Sequence, residues 1–567
     1  MSDHQHTYSR DRLVQKFGEQ PFSLVFSGQG FNWLKTLREA VAAGAGFNVN
    51  SIVERAASLT EPVADELTAA RPFGFDPVDW ASNDDDPAFD ISQAVLSVPG
   101  IFVSQLATLD TLEAQRLSLE KSAVTIGHSQ GALGVHLLKD LTQAAEILAI
   151  AELIGAAGVH TARVNGLIRN GELSPMVSVQ GVTQEQLEEA IAATTADSAD
   201  DATRPIIGLR NTRDSFVVVG RPDDVQRVQS FLQARAAKDA KAIANKERGG
   251  KPFAPVFNPL DVQIAFHHPA MQPAVDQVVE WAKACGLNEE LAEQCAKDVL
   301  VNPEDWVEQV NKAIDAGVRW LLDVGPDGGV VKLTNAVAQG RGALSFAVCD
   351  NDGQALLFDP GMGPTLPKKW TEFAPKLVTS KTGTKVETKF TRLTGRSPMM
   401  LAGMTPTTVD PEIVAAAANA GHWAEMAGGG QVTPEILESN IEKLTGLLNP
   451  GVNAQFNSMF LDPYLWKMQI GGKRLVQRAR ENGAPIDGVV VTAGMPDRDD
   501  AVALIKELRD NGFPWVCFKP GAVKHIKKVL SVARQVPDIP VIIQVEGGKA
   551  GGHHSWEDLD DLLIATY

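Results

Sequence analysis

Residues 123–131 read AVTIGHSQG and run directly into ALGVHLLKDL. A short apolar run that ends in Gly-x-Ser-x-Gly and continues into helix-compatible sequence prescribes a strand, a sharp turn and a helix, with Ser129 at the tip. Gly127 and Gly131 stand where strand and helix come too close to leave room for a Cβ. A serine is a weak nucleophile unless a base removes its proton and fixed N–H dipoles receive the charge pushed onto the carbonyl oxygen. Ser129 is therefore the candidate for a covalent intermediate, and the rest of the chain has to bring a base and two donors to it.

The elbow sits in an α/β pattern. PFSLVFSGQG, residues 21–30, reads as a buried strand running into a glycine turn, and SQAVLSVPGIFVSQLATLDTLEAQ, residues 92–115, as a helix interrupted near Pro99 and Gly100. From residue 172 to 236 the rhythm becomes strand, helix, two strands and helix, which predicts a small split-βαβ subdomain inserted in a two-lobed domain spanning 21–350. Residues 1–20 are a polar tail. Residues 351–395, rich in Pro, Lys and Thr without a sustained apolar period, read as a linker. In 396–567, six apolar runs ending in glycine alternate with amphipathic stretches. That is the pattern of a (β/α) TIM-type barrel, incomplete because the sequence stops after the sixth.

With 567 residues and a formal charge of −18, the chain argues against a nucleic-acid or anionic-membrane surface, although the basic stretch KAIANKERGGK, 241–251, could attract the phosphates of a thioester carrier. No signal peptide or run of 18 uninterrupted apolar residues is found, so a cytoplasmic protein is expected. Cys285, Cys295, Cys349 and Cys517 have neither Cys-x-x-Cys nor zinc spacing and read as reduced structural thiols, with no metal site.

The best base is His267 in AFHHPAM, which ends an apolar strand-like run; His268 is its competitor. GQG at 28–30, GHSQG at 127–131, AFHHPAM at 265–271 and VGP at 324–326 occur in the order of the motifs of the malonyl/acetyl transferases of fatty acid and polyketide synthases, which residues 21–350 resemble. The resemblance implies His267 as base, ping-pong transfer from acyl-CoA to acyl carrier protein, and an oxyanion held by the backbone N–H groups of Gln130 and Gln29. It also places Asn211 near the acyl pocket. Malonyl-selective members carry an arginine whose fork grips the carboxylate, and its position here is Ile154. An apolar residue cannot offset the burial of a malonate charge, so an acetyl transferase using acetyl-CoA is expected, unless a shifted alignment brings in Arg163. Arg169 lies further along still.

SPMMLAGMTPTT, EMAGGGQVT, NPGVNAQFN, FKPG and QVEGGKAGGHHS resemble the FMN-dependent enoyl reductase domain of type I fatty acid synthases, related to flavin nitronate monooxygenase-type barrels. Together the two likenesses are similar to the N-terminal part of a bacterial type I synthase, a large homo-oligomer. They imply NADPH and FMN, with His553 as proton donor and His554 as runner-up. Gly403, Met404, Thr405, Gly428, Gly429, Lys519, Gln544 and Gly547 would surround the isoalloxazine, at glycine-dense strand ends that a flat ligand can approach closely. Flavin phosphate in such barrels is held after strands seven and eight, so this length of chain is expected to bind FMN weakly or not at all. Three other readings stay open: a free-standing serine hydrolase, a malonyl transferase, and an assembly element of a large synthase.

Overall fold

The computed structural model describes residues 21–42, 44, 46–83, 87–114, 122–195, 201–247, 252–359, 363, 365–380, 383–552 and 554–567. The polar tail 1–20, residues 248–251 of the basic stretch, and His553 lie outside them. The described residues form two compact units, one within 21–241 and 252–369, the other within 242–247 and 370–567.

The first unit holds β1 Phe22–Phe26, β2 Ile126–Gly127, β3 Met176–Gln180, β4 Ile206–Thr212, β5 Ser215–Val219, β6 Val256–Pro259, β7 Glu304–Asp305, β8 Trp320–Asp323 and β9 Leu344–Ala347. Its larger lobe is built on a parallel sheet ordered β2-β1-β8-β9. Alternation along each strand feeds two cores: Leu24, Phe26 and Leu322 enter one, Val25, Ile126 and Leu321 the other. A sheet covered on both faces needs strands apolar throughout, which is why β1 reads FSLVF and is wholly buried.

Two core helices, Ala94–Ala114 and Ala144–Asn165, pack on this sheet's larger core. Both are long and apolar enough by composition to cross a membrane, yet most of each is buried among the protein's own side chains. The break expected near Pro99 and Gly100 does not occur, since the helix runs through both. Proline there removes one backbone hydrogen bond, but packing outweighs that local cost. A Cβ on Gly100 would lie 2.5 Å from the Trp33 indole, so the glycine is what lets the ring lie against the helix.

The smaller lobe is a five-stranded sheet ordered β6-β3-β5-β4-β7, under the helices Gln184–Thr195 and Pro222–Ala244. It draws β6 and β7 from beyond the expected insert 172–236. Both are short and lack a buried apolar row, so they carry no strand signal of their own. β7 lies parallel to β4, with Glu304 opposite Leu209 and Asp305 opposite Arg210.

The boundary between the two units falls within the expected linker, 351–395, whose described residues include regular elements. A helix Asn351–Phe358 sends Leu357 and Phe358 into the first core, and β10 Lys376–Ser380 forms a hairpin with β11 Gly383–Glu387. Most of the hairpin's side chains are exposed, so no apolar alternation marks it. In the second unit β12 Met400–Leu401, β13 Trp423–Ala427, β14 Ala454–Met459, β15 Ile486–Thr492, β16 Trp515–Phe518 and β17 Val541–Ile543 form one parallel sheet in chain order. β12 and β17 are its two ends.

Candidate active site

β2 ends at Gly127, and one tight turn, Ser129–Gly131, leads into the helix Ala132–Leu137. A Cβ on Gly127 would lie 2.3 Å from the Gly131 carbonyl oxygen, and one on Gly131 would lie 2.1 Å from that of Phe26. The elbow is thus closed by backbone against backbone, which only glycine permits. Ser129 sits at φ 56°, left-handed territory that costs a non-glycine residue about 1 kcal/mol or more. The turn after β1 lies against it: a Cβ on Gly28 would be 2.8 Å from Ser129 Cβ and 3.1 Å from the Gln130 nitrogen. The Gln29 side-chain amide donates to Gln130 Oε1, and Gln130 Nε2 donates to the Val98 carbonyl, so the two side chains tie the turns together. This brings the backbone around Gln29 and Gln130 beside the hydroxyl.

His267, also left-handed at φ 60°, places Nε2 2.7 Å from Ser129 Oγ. Its Nδ1–H donates to the Asn302 carbonyl at 2.7 Å, which fixes the tautomer and leaves Nε2 as the acceptor for the serine proton. The ring is buried, and burial lowers its pKa to about 4 against the opposing pull of the Asn302 carbonyl. At neutral pH it is a free base. His268 points elsewhere: Nε2 donates to the Arg204 carbonyl at 2.9 Å, and Nδ1 accepts from the Ala270 N–H, capping the next turn.

Asn211, on β4, is buried and its Oδ1 lies 2.8 Å from His128 Nε2, so it holds the residue next to the nucleophile. The His128 ring meets Trp306 edge-on, with centroids 5.2 Å apart. Ile154 is fully buried in the apolar core, within the helix Ala144–Asn165. Arg163 is exposed near that helix's end, and Arg169 is engaged by the Val262 and Leu260 carbonyls and by Asp261.

Residues 302–309 were not singled out in the sequence, yet they reach Gly127, His128 and Ser129 of the elbow and His267 beside it. Beyond Asn302 and Trp306, Glu304 Oε2 accepts the Ser129 backbone N–H. Gln309 Nε2 donates to the Gly127 carbonyl at 3.1 Å and to Glu304 Oε1 at 3.3 Å. Burial raises the Glu304 pKa, opposed by the nearby His128. The one available signal is NPED before an apolar-periodic stretch, which reads only as a helix start.

In the second unit the strand ends are tightly filled. A Cβ on Gly403 would lie 2.6 Å from the Asn457 side chain, on Gly428 2.6 Å from Gln469 Oε1, on Gly429 2.5 Å from Thr405 Oγ1, and on Gly547 2.8 Å from Leu559 Cβ. At these four positions a side chain would meet the protein's own atoms. Lys519, Glu546 and His554 line a cavity of about 170 Å3 together with Ala493 and Trp556. Lys519 Nζ is 3.1 Å from Glu546 Oε1 and 4.0 Å from the buried Glu425. Glu425 also accepts from the Gly403 N–H and from Asn457 and Trp423. Glu425 was not singled out in the sequence, where a carboxylate inside the apolar strand WAEMA is the one available signal for this network. Met404 packs beside Gly551 and Gly552, and Gln544 Oε1 is buried without a partner among the described residues.

Residues 175–259 match the fatty acid synthase central AT domain family, and residues 540–567 match the helical family of fatty acid synthase subunit beta/Fas1-like proteins. Fatty acid synthase subunit beta of Schizosaccharomyces pombe is 26% identical, covering 96% of this chain and 28% of the relative. The fatty acid synthase beta subunit pkiC of Emericella nidulans is 32% identical, covering 70% of this chain and 22% of the relative. A solved malonyl-CoA:acyl carrier protein transacylase from Xanthomonas oryzae aligns with a TM-score of 0.46 at 17% identity, over 60% of this chain and 98% of that one. The chain spans less than a third of the length of these curated relatives, which are fungal where a bacterial synthase was expected. The chain is thus similar, over nearly its whole length, to the beta subunit of fungal-type fatty acid synthases, and it carries a segment matching their central acyltransferase domain.

Proposed function

We propose that the first unit serves fatty acid synthesis as an acyltransferase, taking an acetyl group from CoA onto Ser129 and passing it to the thiol of an acyl carrier protein. The observation that carries this reading is the 2.7 Å contact between Ser129 Oγ and the unprotonated Nε2 of His267. His267 takes the hydroxyl proton as Oγ bonds to the thioester carbonyl carbon, and returns it to the sulfur as the C–S bond breaks. The carrier thiol repeats both steps in reverse order. Backbone N–H groups of Gln130 and Gln29 receive the oxyanion in each half.

Acetyl rather than malonyl transfer is supported by Ile154, an apolar side chain fully buried in the larger core, at the position where the malonyl-selective relatives of the sequence motif carry arginine. A carboxylate buried there without a partner would cost several kcal/mol. Arg163 is no substitute, since nine residues of helix carry it about 13 Å from residue 154. Against a triad hydrolase stands the Asn302 carbonyl, which occupies the place such enzymes give to a carboxylate. Intact mass after brief mixing with acetyl-CoA tests the proposal: one acetyl adduct is expected, absent in Ser129→Ala. Preferential labelling by malonyl-CoA would overturn the acetyl assignment, and CoA release without a carrier thiol faster than transfer would favour the hydrolase.

For the second unit we propose reduction of enoyl thioesters with FMN and NADPH. The reading is supported by the partnerless Gln544 Oε1 and by the Lys519 cavity at the strand ends, and these two side chains would hold the flavin. FMN would supply hydride to the substrate's β-carbon. Titration of FMN fluorescence with the chain tests this: weak quenching, in keeping with a chain that carries only part of such a barrel, is expected and should be lost in Lys519→Met. Quenching that persists unchanged in Lys519→Met would refute the site.

A further inference from the structure

We infer that Glu304 is a positioning residue for the nucleophile: by accepting the Ser129 backbone N–H, its carboxylate holds the elbow in the left-handed conformation that aims Oγ at His267. The inference rests on the proposed role of Ser129. A non-glycine residue at φ 56° does not stay there unless its surroundings over-determine it, and an N–H turned inward at such a point needs an acceptor. Glu304 Oε2 is that acceptor. The carboxylate is itself held from two sides. Pairing of β7 with β4 sets the backbone register, with Glu304 opposite Leu209, and Gln309 Nε2 reaches the other oxygen at 3.3 Å while also bonding the Gly127 carbonyl. Nucleophile and base are therefore referred to one short segment, because Asn302, two residues before Glu304, orients His267.

The next residue provides the control. Asp305 caps the helix Trp306–Asp315 through the Glu308 N–H and pairs with Arg210 at 3.0 Å, so it supports the same segment without bonding Ser129.

The test uses the full chain and two acyl donors, p-nitrophenyl acetate and acetyl-CoA, with single-turnover acylation of Ser129 as the readout. Glu304→Ala is expected to lower the maximal acylation rate about tenfold or more and to leave the half-saturating donor concentration within about twofold. Glu304→Gln keeps a side-chain carbonyl and should recover to within about threefold of the parent. Asp305→Ala should lower the thermal midpoint but leave the acylation rate within about twofold. Should Glu304→Ala not fold, Glu304→Asp, one methylene short of the N–H, must show the slowing instead. The inference is overturned if Glu304→Ala or Glu304→Asp acylates at the parent rate. It is equally overturned if Asp305→Ala slows as much, or if Glu304→Gln gives no recovery. A parent protein acylated by the ester but not by acetyl-CoA would sink the transfer proposal, while the ester data still decide the role of Glu304.

Discussion

His267 ought to titrate far from the ordinary histidine range, and both rate and stability should report it. Its surroundings bring the pKa from 6.5 to about 4. Each unit is worth 1.36 kcal/mol, so the folded protein disfavours the imidazolium by about 3 kcal/mol. At pH 7 the ring is protonated in about one molecule in a thousand. Acylation kcat/KM, which reports the free enzyme, should therefore stay flat from pH 8 to about pH 5 and fall about tenfold per unit below pH 4. The folded pKa lies below the unfolded one, so the unfolded chain binds more protons between pH 6.5 and 4. The contribution to stability is complete above pH 6.5 and is lost as pH falls through 4, with about 2 kcal/mol already gone at pH 5. Single-turnover acylation by p-nitrophenyl acetate across pH 4–8 supplies the kinetic curve. Denaturant midpoints of the parent and His267→Gln at pH 7 and pH 5 supply the second, since the glutamine variant lacks this slope. An acylation midpoint near 6.5 would mean a solvated imidazole and would refute the reasoning.

Gly131→Ala drives a Cβ to 2.1 Å from the Phe26 carbonyl oxygen, so the elbow must open. The acetyl adduct should disappear from intact mass spectra, and a parent-like adduct would contradict the steric account. Arg71 lies 2.6 Å from the buried Glu152, whose pKa burial raises despite that partner. Arg71→Met should cost about 3–5 kcal/mol in a melting experiment, and adding Glu152→Leu should restore most of it, because the loss comes from a stranded charge. Ile154→Arg puts a guanidinium at a fully buried site and should lower the melting temperature. Where it folds, the ratio of malonyl to acetyl labelling should rise, and an unchanged ratio would separate residue 154 from donor choice.

Much of the architecture could be read directly. Strands buried on both faces are mostly apolar runs closed by glycine, so β1, β2, β8, β13, β15 and β16 announce themselves, whereas the buried β14 reads AQFNSM. Strands without a buried row do not: β6, β7 and the exposed β10–β11 hairpin carry no period, and what looked like linker and helix start became sheet. The candidate site divides in the same way. Ser129 and its glycines obey a local rule of backbone clearance, whereas Glu304 and Gln309 are polar residues in a stretch that resembles any helix start, and their meaning comes from what they touch.

What the sequence by itself determined was a serine on an elbow closed by glycine, because steric exclusion between neighbouring backbone segments depends on the residues of that turn and little else. Tertiary structure set where two adjacent histidines point, sending the His267 ring to a serine 138 residues away and the His268 ring to a carbonyl on another loop. The same packing lowered the His267 pKa and gave Glu304 its acceptor role, since burial and hydrogen-bond geometry belong to segments the fold brings together.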